Sequence, residues 1–151
     1  MRRNDGNTLI ELLVATVIVG VLLTGVAISL TYSIQREALN RYREGATSLA
    51  QEITEFIQLR RAQEGWDNFT TAYPAGSYCY DPNAANPTLL LSGGGCSAIS
   101  RVGIDFEQEV AINWDNDPPN KITATISLTW DTGSSTPKTY ELTQEYFQPE
   151  F

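Results

Sequence analysis

Hydrophobic and polar residues follow three different patterns along the chain, and the first is a long uncharged run. Residues 12–35 carry no charge, and residues 12–30 are almost purely apolar. At ~1.5 Å per residue, residues 12–30 form a helix of roughly 28 Å, close to the ~30 Å hydrocarbon thickness of a bilayer. Arg2 and Arg3 precede the run, and basic residues there hold the N-terminus in the cytoplasm. This pattern predicts a single-pass membrane helix with the rest of the chain outside.

The second pattern is amphipathic and covers residues 31–64. Apolar residues recur at heptad spacing and form one stripe between charged flanks. The stripe comprises Tyr32, Leu39, Tyr42, Ala46, Leu49, Ile53 and Phe56. The two patterns together predict one nearly continuous helix from about residue 8 to about residue 63. Gly45 is its weak point in this half, since glycine is a poor helix former.

The third pattern is a period-two alternation over residues 102–147. Polar turns at 115–120 and 131–138 divide it into runs. The apolar positions are Val102, Ile104, Phe106, Val110, Ile112 and Trp114, with Gln108 among them, then Ile122, Ala124, Ile126, Leu128 and Trp130, then Tyr140, Leu142 and Tyr146. The alternation predicts a three- to four-stranded antiparallel sheet with one apolar and one solvated face. The apolar stripe of the helix fits that apolar face.

Residues 65–98, between helix and sheet, are rich in Gly, Pro, Asn, Ser and Thr, so we expect a loop. Cys79 and Cys96 lie in this loop, 17 residues apart. Since the loop is expected outside the cytoplasm, we predict a disulfide, contributing roughly 3 kcal/mol. Two free thiols are the alternative. The fold class is therefore α+β, a long N-terminal helix packed on a small antiparallel sheet.

A motif stands at the start of the uncharged run. Residues 6–14 read G-N-T-L-I-E-L-L-V and follow a short basic leader. The motif resembles the class III signal of type IV prepilins and type II secretion pseudopilins, which prepilin peptidase cuts after the glycine. The resemblance implies cleavage between Gly6 and Asn7, N-methylation of Asn7, and the pilin architecture of a long helix with an antiparallel sheet.

Two positions depart from the family pattern. The mature chain would begin with Asn7, where the family usually has Phe or Met. Ile28 stands where many major pilins carry a proline within the apolar helix. Any local loosening of the helix would then rely on Gly20 and Gly25. The atypical Asn7 favours a minor subunit over a major one.

Glu11 is the one charged residue inside the N-terminal apolar segment. A carboxylate costs on the order of 2–3 kcal/mol at the bilayer centre and less near the interface. Cleavage would create an α-amine on Asn7, four residues before Glu11, with which this carboxylate can pair. The resemblance implies that the pairing is intermolecular and docks each subunit on its neighbour. The alternative is a Glu11 that only reaches the membrane interface.

Charge and composition exclude several other functions. The formal charge is −8, and direct nucleic-acid binding needs clustered Lys and Arg instead. The chain has no His, the commonest general base and zinc ligand, and it carries no nucleophile or phosphate-loop motif. We therefore expect that the chain is not an enzyme and binds no cofactor. Asp115 and Asp117 are weak calcium candidates, because hard oxygen ligands in a turn suit that ion, but an acidic turn is the simpler interpretation.

The sequence thus predicts a pilin-like structural subunit of a type IV pilus or a type II secretion pseudopilus, anchored in the inner membrane and then assembled into an extracytoplasmic filament. Its segments are a leader (1–6), a membrane and polymerisation helix (7–30), the amphipathic half of the helix (31–64), a disulfide-closed loop (65–98), and the sheet with a C-terminal tail (99–151). Expected partners are other pilin subunits, prepilin peptidase, the inner-membrane assembly machinery and, before assembly, lipid. The alternative is a membrane-anchored extracytoplasmic binding domain that does not polymerise.

Overall fold

A computed structural model describes residues 5–83, 87–116, 118–133 and 136–149, and side chains from Ile10 onward. Its elements in chain order are α1 (Asp5–Glu64), α2 (Trp66–Ala72), β1 (Gly76–Asp81), β2 (Thr88–Leu91), β3 (Ile99–Arg101), β4 (Ile104–Trp114), β5 (Lys121–Trp130) and β6 (Lys138–Phe147). The chain divides into two compact units, Met1–Asn40 and Arg41–Phe151, so that α1 contributes to both. The fold is α+β and pilin-like, as the sequence predicts.

Helix α1 is continuous through 60 residues and ends close to its predicted limit. Gly65 stops it, because its φ of 78° is a left-handed conformation that glycine adopts without strain. The Gly65 N–H still donates to the Arg61 carbonyl at 3.1 Å. Arg61 lies in the last turn, where a cation interacts favourably with the helix dipole.

The buried stripe of α1 is shorter than predicted. It consists of Ala46, Leu49, Ala50, Ile53 and Ile57, all at most 1% exposed, with Tyr42 and Phe56 partly buried beside them. Tyr32 and Leu39, which the heptad pattern assigned to the same stripe, are exposed. The heptad spacing therefore continues further than the packing on the sheet, which involves the part of α1 from Tyr42 onward.

Within residues 5–83, 87–116, 118–133 and 136–149 the antiparallel sheet has six strands, so the predicted number of three to four is too low. The path is β2-β1-β4-β5-β6, and β3 lies off this path and pairs with the first residues of β4. The additional strands β1 and β2 lie in residues 65–98, where a loop was predicted. Strand β1 spans only six residues between turn-forming residues, too short for its inward Tyr78 and Tyr80 to give a clear alternation.

Strands β4, β5 and β6 form the predicted meander. Val110, Ile126 and Leu142 lie opposite one another across the three strands. The two turns fall where the polar runs predicted them, between Trp114 and Lys121 and between Trp130 and Lys138.

One predicted inward position is wrong. Val102 does not face the core, because it lies in the turn between β3 and β4 with a φ of 54°, and its side chain is exposed. The turn Val102–Gly103 separates β3 from β4, and the alternation that faces the core begins only at Ile104.

Gln108 is a buried polar residue on the apolar face, and its side chain replaces missing backbone pairing. The β1–β4 ladder stops at the Tyr78–Val110 pair. Beyond it, the Tyr80 N–H donates to Gln108 Oε1 at 3.3 Å, and Gln108 Nε2 donates to the Tyr80 carbonyl. The amide therefore satisfies both backbone groups of a buried residue, which would otherwise cost about 1–3 kcal/mol per unpaired group.

Candidate functional site

The N-terminal part of α1 is the first element of the candidate site. Gly6 and Asn7 lie within the helical backbone of its first turns. Every side chain from Ile10 to Glu37 is exposed, including all the large apolar ones. The segment reaches a mean hydropathy of 2.5, and by length and composition α1 is able to cross a membrane. An exposed apolar surface of this extent needs lipid or another protein to cover it.

Glu11 interrupts this apolar surface. It lies four residues after Asn7, which is about one helical turn, and its side chain is exposed. Its carboxylate is therefore accessible to a partner that packs against this surface of the helix. Its docking role stays a prediction, as do the cleavage after Gly6 and the methylation of Asn7.

Cys79 and Cys96 form the predicted disulfide, with an S–S distance of 2.02 Å and a Cα–Cα distance of 5.2 Å. Cys79 lies in the middle of β1 and pairs across the ladder with Leu90 of β2. Cys96 follows the glycine-rich turn after β2. The bond therefore closes the β1–β2 hairpin and its following turn onto β1, in the region that the sequence analysis took for a loop.

The Asp115 carboxylate accepts hydrogen bonds within the turn between β4 and β5. Its Oδ1 accepts from the backbone N–H of Lys121 at 2.9 Å and of Asn120 at 3.2 Å. These bonds, that from Lys121 first, lower the pKa of the Asp115 carboxyl. Asp117, the other calcium candidate, lies outside the described residues. Within the part of the chain that the structure describes, no three His, Cys, Asp or Glu residues come together as metal ligands.

A cluster around Glu52, which the sequence pattern does not indicate, joins α1 to two strands. The Tyr80 hydroxyl donates to Glu52 Oε1 at 3.0 Å, and Arg101 Nη2 lies 3.3 Å from Glu52 Oε2. Burial, and then the Glu52 carboxylate, raise the pKa of Tyr80 to about 12. In the heptad pattern Glu52 belongs to the charged flanks of the helix, and only its position one residue before the buried Ile53 indicates a contact with the sheet.

The far end of α1 has its own set of anchors. Trp66 Nε1 donates to the Pro119 carbonyl at 2.9 Å, which ties α2 to the β4–β5 turn. The Arg61 guanidinium lies over the Tyr146 ring at 5.2 Å, and Arg60 Nη2 donates to the Pro87 carbonyl at 3.2 Å. The two arginines thus hold the end of the helix near opposite ends of the sheet, because Tyr146 lies in β6 and Pro87 directly precedes β2.

The fold and the N-terminal segment together define a pilin-like protein with an apolar helix suited to a membrane. Residues 1–27 match the family model of the prokaryotic N-terminal methylation motif, the site at which prepilin peptidase processes type IV pilins and pseudopilins. No curated protein and no solved structure matches the chain. The motif, the apolar helix and the disulfide fit a type IV pilin-like or pseudopilin-like protein that is anchored in a membrane and then forms part of an extracytoplasmic filament.

Proposed function

We propose that the chain is a structural subunit, and a minor one, of a type IV pilus or a type II secretion pseudopilus. The observation that carries the proposal is the methylation motif at residues 1–27, which overlaps a part of α1 whose apolar side chains, from Ile10 to Ile34, are all exposed. Such a helix is stable first in lipid and later against the helices of other subunits. Gly20, Gly25 and Ala27 would permit close helix approach there.

In this proposal the precursor lies in the inner membrane with Arg2 and Arg3 in the cytoplasm and the sheet outside. Prepilin peptidase cleaves after Gly6 and Asn7 becomes N-methylated. Glu11 then pairs with the N-terminal amine of a neighbouring subunit as the assembly machinery extracts the helix from the membrane. The chain's contribution is mechanical. It supplies an apolar helix, a docking charge and an outward-facing α+β head, by which we mean the unit Arg41–Phe151.

The first experiment measures cleavage. The full chain is co-expressed with and without prepilin peptidase, and its intact mass and N-terminal sequence are determined. We expect a product that begins at Asn7 only when the peptidase is present, and a Gly6→Leu variant that stays uncut. Recovery of the intact Met1 end in the presence of active peptidase would contradict the proposal.

The second experiment separates cleavage from assembly. Glu11→Ala and Glu11→Gln are expected to be cleaved at the normal site and to be lost from sheared filaments, because they cannot pair with the neighbouring amine. A matched control is Ser29→Ala, a small exposed polar change on the same helix. Normal incorporation of both Glu11 variants would contradict the docking role of Glu11, whereas absence of the wild-type chain from sheared filaments would favour a membrane-anchored binding domain that does not polymerise.

A further inference from the structure

The outer end of the uncharged run carries a pair of side chains that the proposed assembly does not use. Arg36 is the first charged residue after residues 12–35. Tyr32 lies one turn before it and is the only aromatic residue among the first 41. Tyrosine and arginine are the residue types that anchor a spanning helix at the level of lipid headgroups, since each combines an apolar body with a polar end.

The two side chains form one unit. The Arg36 guanidinium lies over the Tyr32 ring at 4.4 Å from its centroid, and Nη2 donates to the Tyr32 hydroxyl at 2.6 Å. Both residues are exposed. The guanidinium has five N–H donors, and the tyrosine takes one of them. No carboxylate among the described residues pairs with Arg36, whereas Arg60 and Arg101 pair with Glu64 and Glu52.

A shallow groove lies beside this pair on the side toward the apolar run. It measures about 360 Å³ and is lined by Ala27, Ile28, Thr31, Tyr32 and Gln35. The Thr31 hydroxyl donates to the Ala27 carbonyl at 3.0 Å, so the helix itself satisfies that polar group. The groove is therefore mainly apolar, and Tyr32, which contacts Arg36, forms part of its lining.

We propose that Tyr32, Arg36 and this groove bind one phospholipid of the extracytoplasmic leaflet, with its phosphate at Arg36 and the upper part of an acyl chain in the groove. The charge of the guanidinium matches a phosphodiester, which accepts several N–H donors at once. The groove continues the apolar surface that lipid covers. The inference rests on the proposed function only in placing α1 across a membrane with Arg36 at its outer boundary.

Bound in this way, the pair fixes the depth of the helix before assembly. Residues 12–35 would extend over roughly 36 Å as a helix, against ~30 Å of hydrocarbon. The last turn before Arg36 then lies at the level of the glycerol and phosphate groups. Extraction of the subunit into a filament would have to break this contact as well as remove the apolar side chains from lipid.

The test measures contact between arginine and lipid phosphate directly. The full precursor, labelled with ¹³C-arginine, is reconstituted into vesicles of phosphatidylethanolamine and phosphatidylglycerol, and ¹³C–³¹P dephasing of the guanidinium carbon is recorded by solid-state NMR. We expect the dephasing component of Arg36 to be lost in Arg36→Gln and to be reduced in Tyr32→Ala. Tyr32→Phe keeps the ring, so it is expected to retain most of that component.

Arg43→Gln is the matched control. Arg43 is exposed and lies seven residues further, on the same side of the helix but beyond the boundary. The inference would be overturned if Arg36→Gln left the dephasing unchanged, or if Arg43→Gln reduced it as much as Arg36→Gln does. Either result would leave membrane anchoring intact. A precursor that does not float with the vesicles would overturn the inference and the membrane step of the proposed function together.

Discussion

Two buried tyrosines of the head differ in what their hydroxyl groups contact. The Tyr80 hydroxyl donates to Glu52, whereas the Tyr146 hydroxyl is buried without a hydrogen-bond partner among the described residues. Tyr146 is 4% exposed and packs its ring under the Arg61 guanidinium. An unpaired buried hydroxyl contributes nothing to stability beyond its ring, and removing it relieves a desolvation cost. The same substitution should therefore have opposite effects at the two positions.

The residue-scale prediction compares Tyr80→Phe with Tyr146→Phe. At neutral pH, Tyr80→Phe is expected to lower the free energy of unfolding by about 1 kcal/mol through the lost hydrogen bond. Tyr146→Phe is expected to leave it unchanged or slightly raised. Thermal unfolding of the purified chain in detergent, followed by near-ultraviolet circular dichroism, measures both. Equal destabilisation by the two variants would show that ring packing, not the hydroxyl contact, dominates at Tyr80.

The alkaline stability of the head follows from the same two side chains. Burial raises the pKa of Tyr146 from 10.0 to about 12. Burial, and then the Glu52 carboxylate, raise the pKa of Tyr80 from 10.0 to about 12 as well. Because the folded pKa exceeds the unfolded one, the folded chain holds these protons more tightly. The folded chain therefore keeps its full stability below pH 10 and loses stability as the pH rises toward 12, where folding opposes ionisation of the two hydroxyl groups. Between those values, wild-type stability is therefore expected to fall more steeply with pH than that of the Tyr80→Phe, Tyr146→Phe double variant.

At the scale of elements, the sequence predicts the helices and strands whose hydrophobic pattern is long and regular. The predictions of helix α1 and of the β4–β5–β6 meander are confirmed, because many periodic positions define each of these elements. Strands β1 and β2 are too short for periodicity and depend on pairing with β4 and with each other. No local signal in residues 65–98 reports that pairing. The disulfide was predictable because it needs only two cysteines in the right compartment.

Gly45 shows why a contact between elements escapes a sequence pattern. It appeared to be a weak point of the helix, yet it is buried where α1 meets the sheet. A Cβ there would lie 3.1 Å from Val102 Cγ2 and 3.4 Å from Phe106 Cζ. The glycine therefore gives up helix propensity, about 1 kcal/mol relative to alanine, at a position where α1 packs closely on the sheet. Only the folded arrangement reveals which side chains it meets.

The element-scale prediction concerns the Cys79–Cys96 bond. Replacing both cysteines by serine removes a closed loop with a sequence separation of 17, so the free energy of unfolding is expected to fall by roughly 3 kcal/mol. The effect should concentrate in the β1–β2 hairpin, because β4, β5 and β6 keep their full ladders. Hydrogen exchange is expected to accelerate in β1 and β2 before it does in β5. Uniform acceleration over all strands would contradict this local role.

At the scale of the whole molecule, charge and apolar surface are separated along the chain. Loss of residues 1–6 removes two arginines and one aspartate, which leaves 8 basic and 17 acidic residues and a charge of −9. Among those acids only Glu11 precedes residue 37. The acidic charge therefore belongs to the head, where it favours solubility and disfavours direct contact with nucleic-acid phosphates. The exposed apolar side chains between residues 10 and 34 belong to the other unit.

The last prediction is that the head folds without the apolar part of its helix. Among the side chains that the structure describes, every buried apolar one lies between Ala46 and Tyr146, within the unit Arg41–Phe151. A chain of residues 36–151 is therefore expected to be soluble, monomeric and disulfide-bonded, with a thermal midpoint close to that of the full chain in detergent. Size-exclusion chromatography, thiol titration and circular dichroism test this, and a chain that begins at residue 52 is the matched control. The control removes Ala46, Leu49 and Ala50 from the core, so it is expected to aggregate or unfold. Aggregation of residues 36–151 as well would mean that the N-terminal half of α1 contributes to the folding of the head.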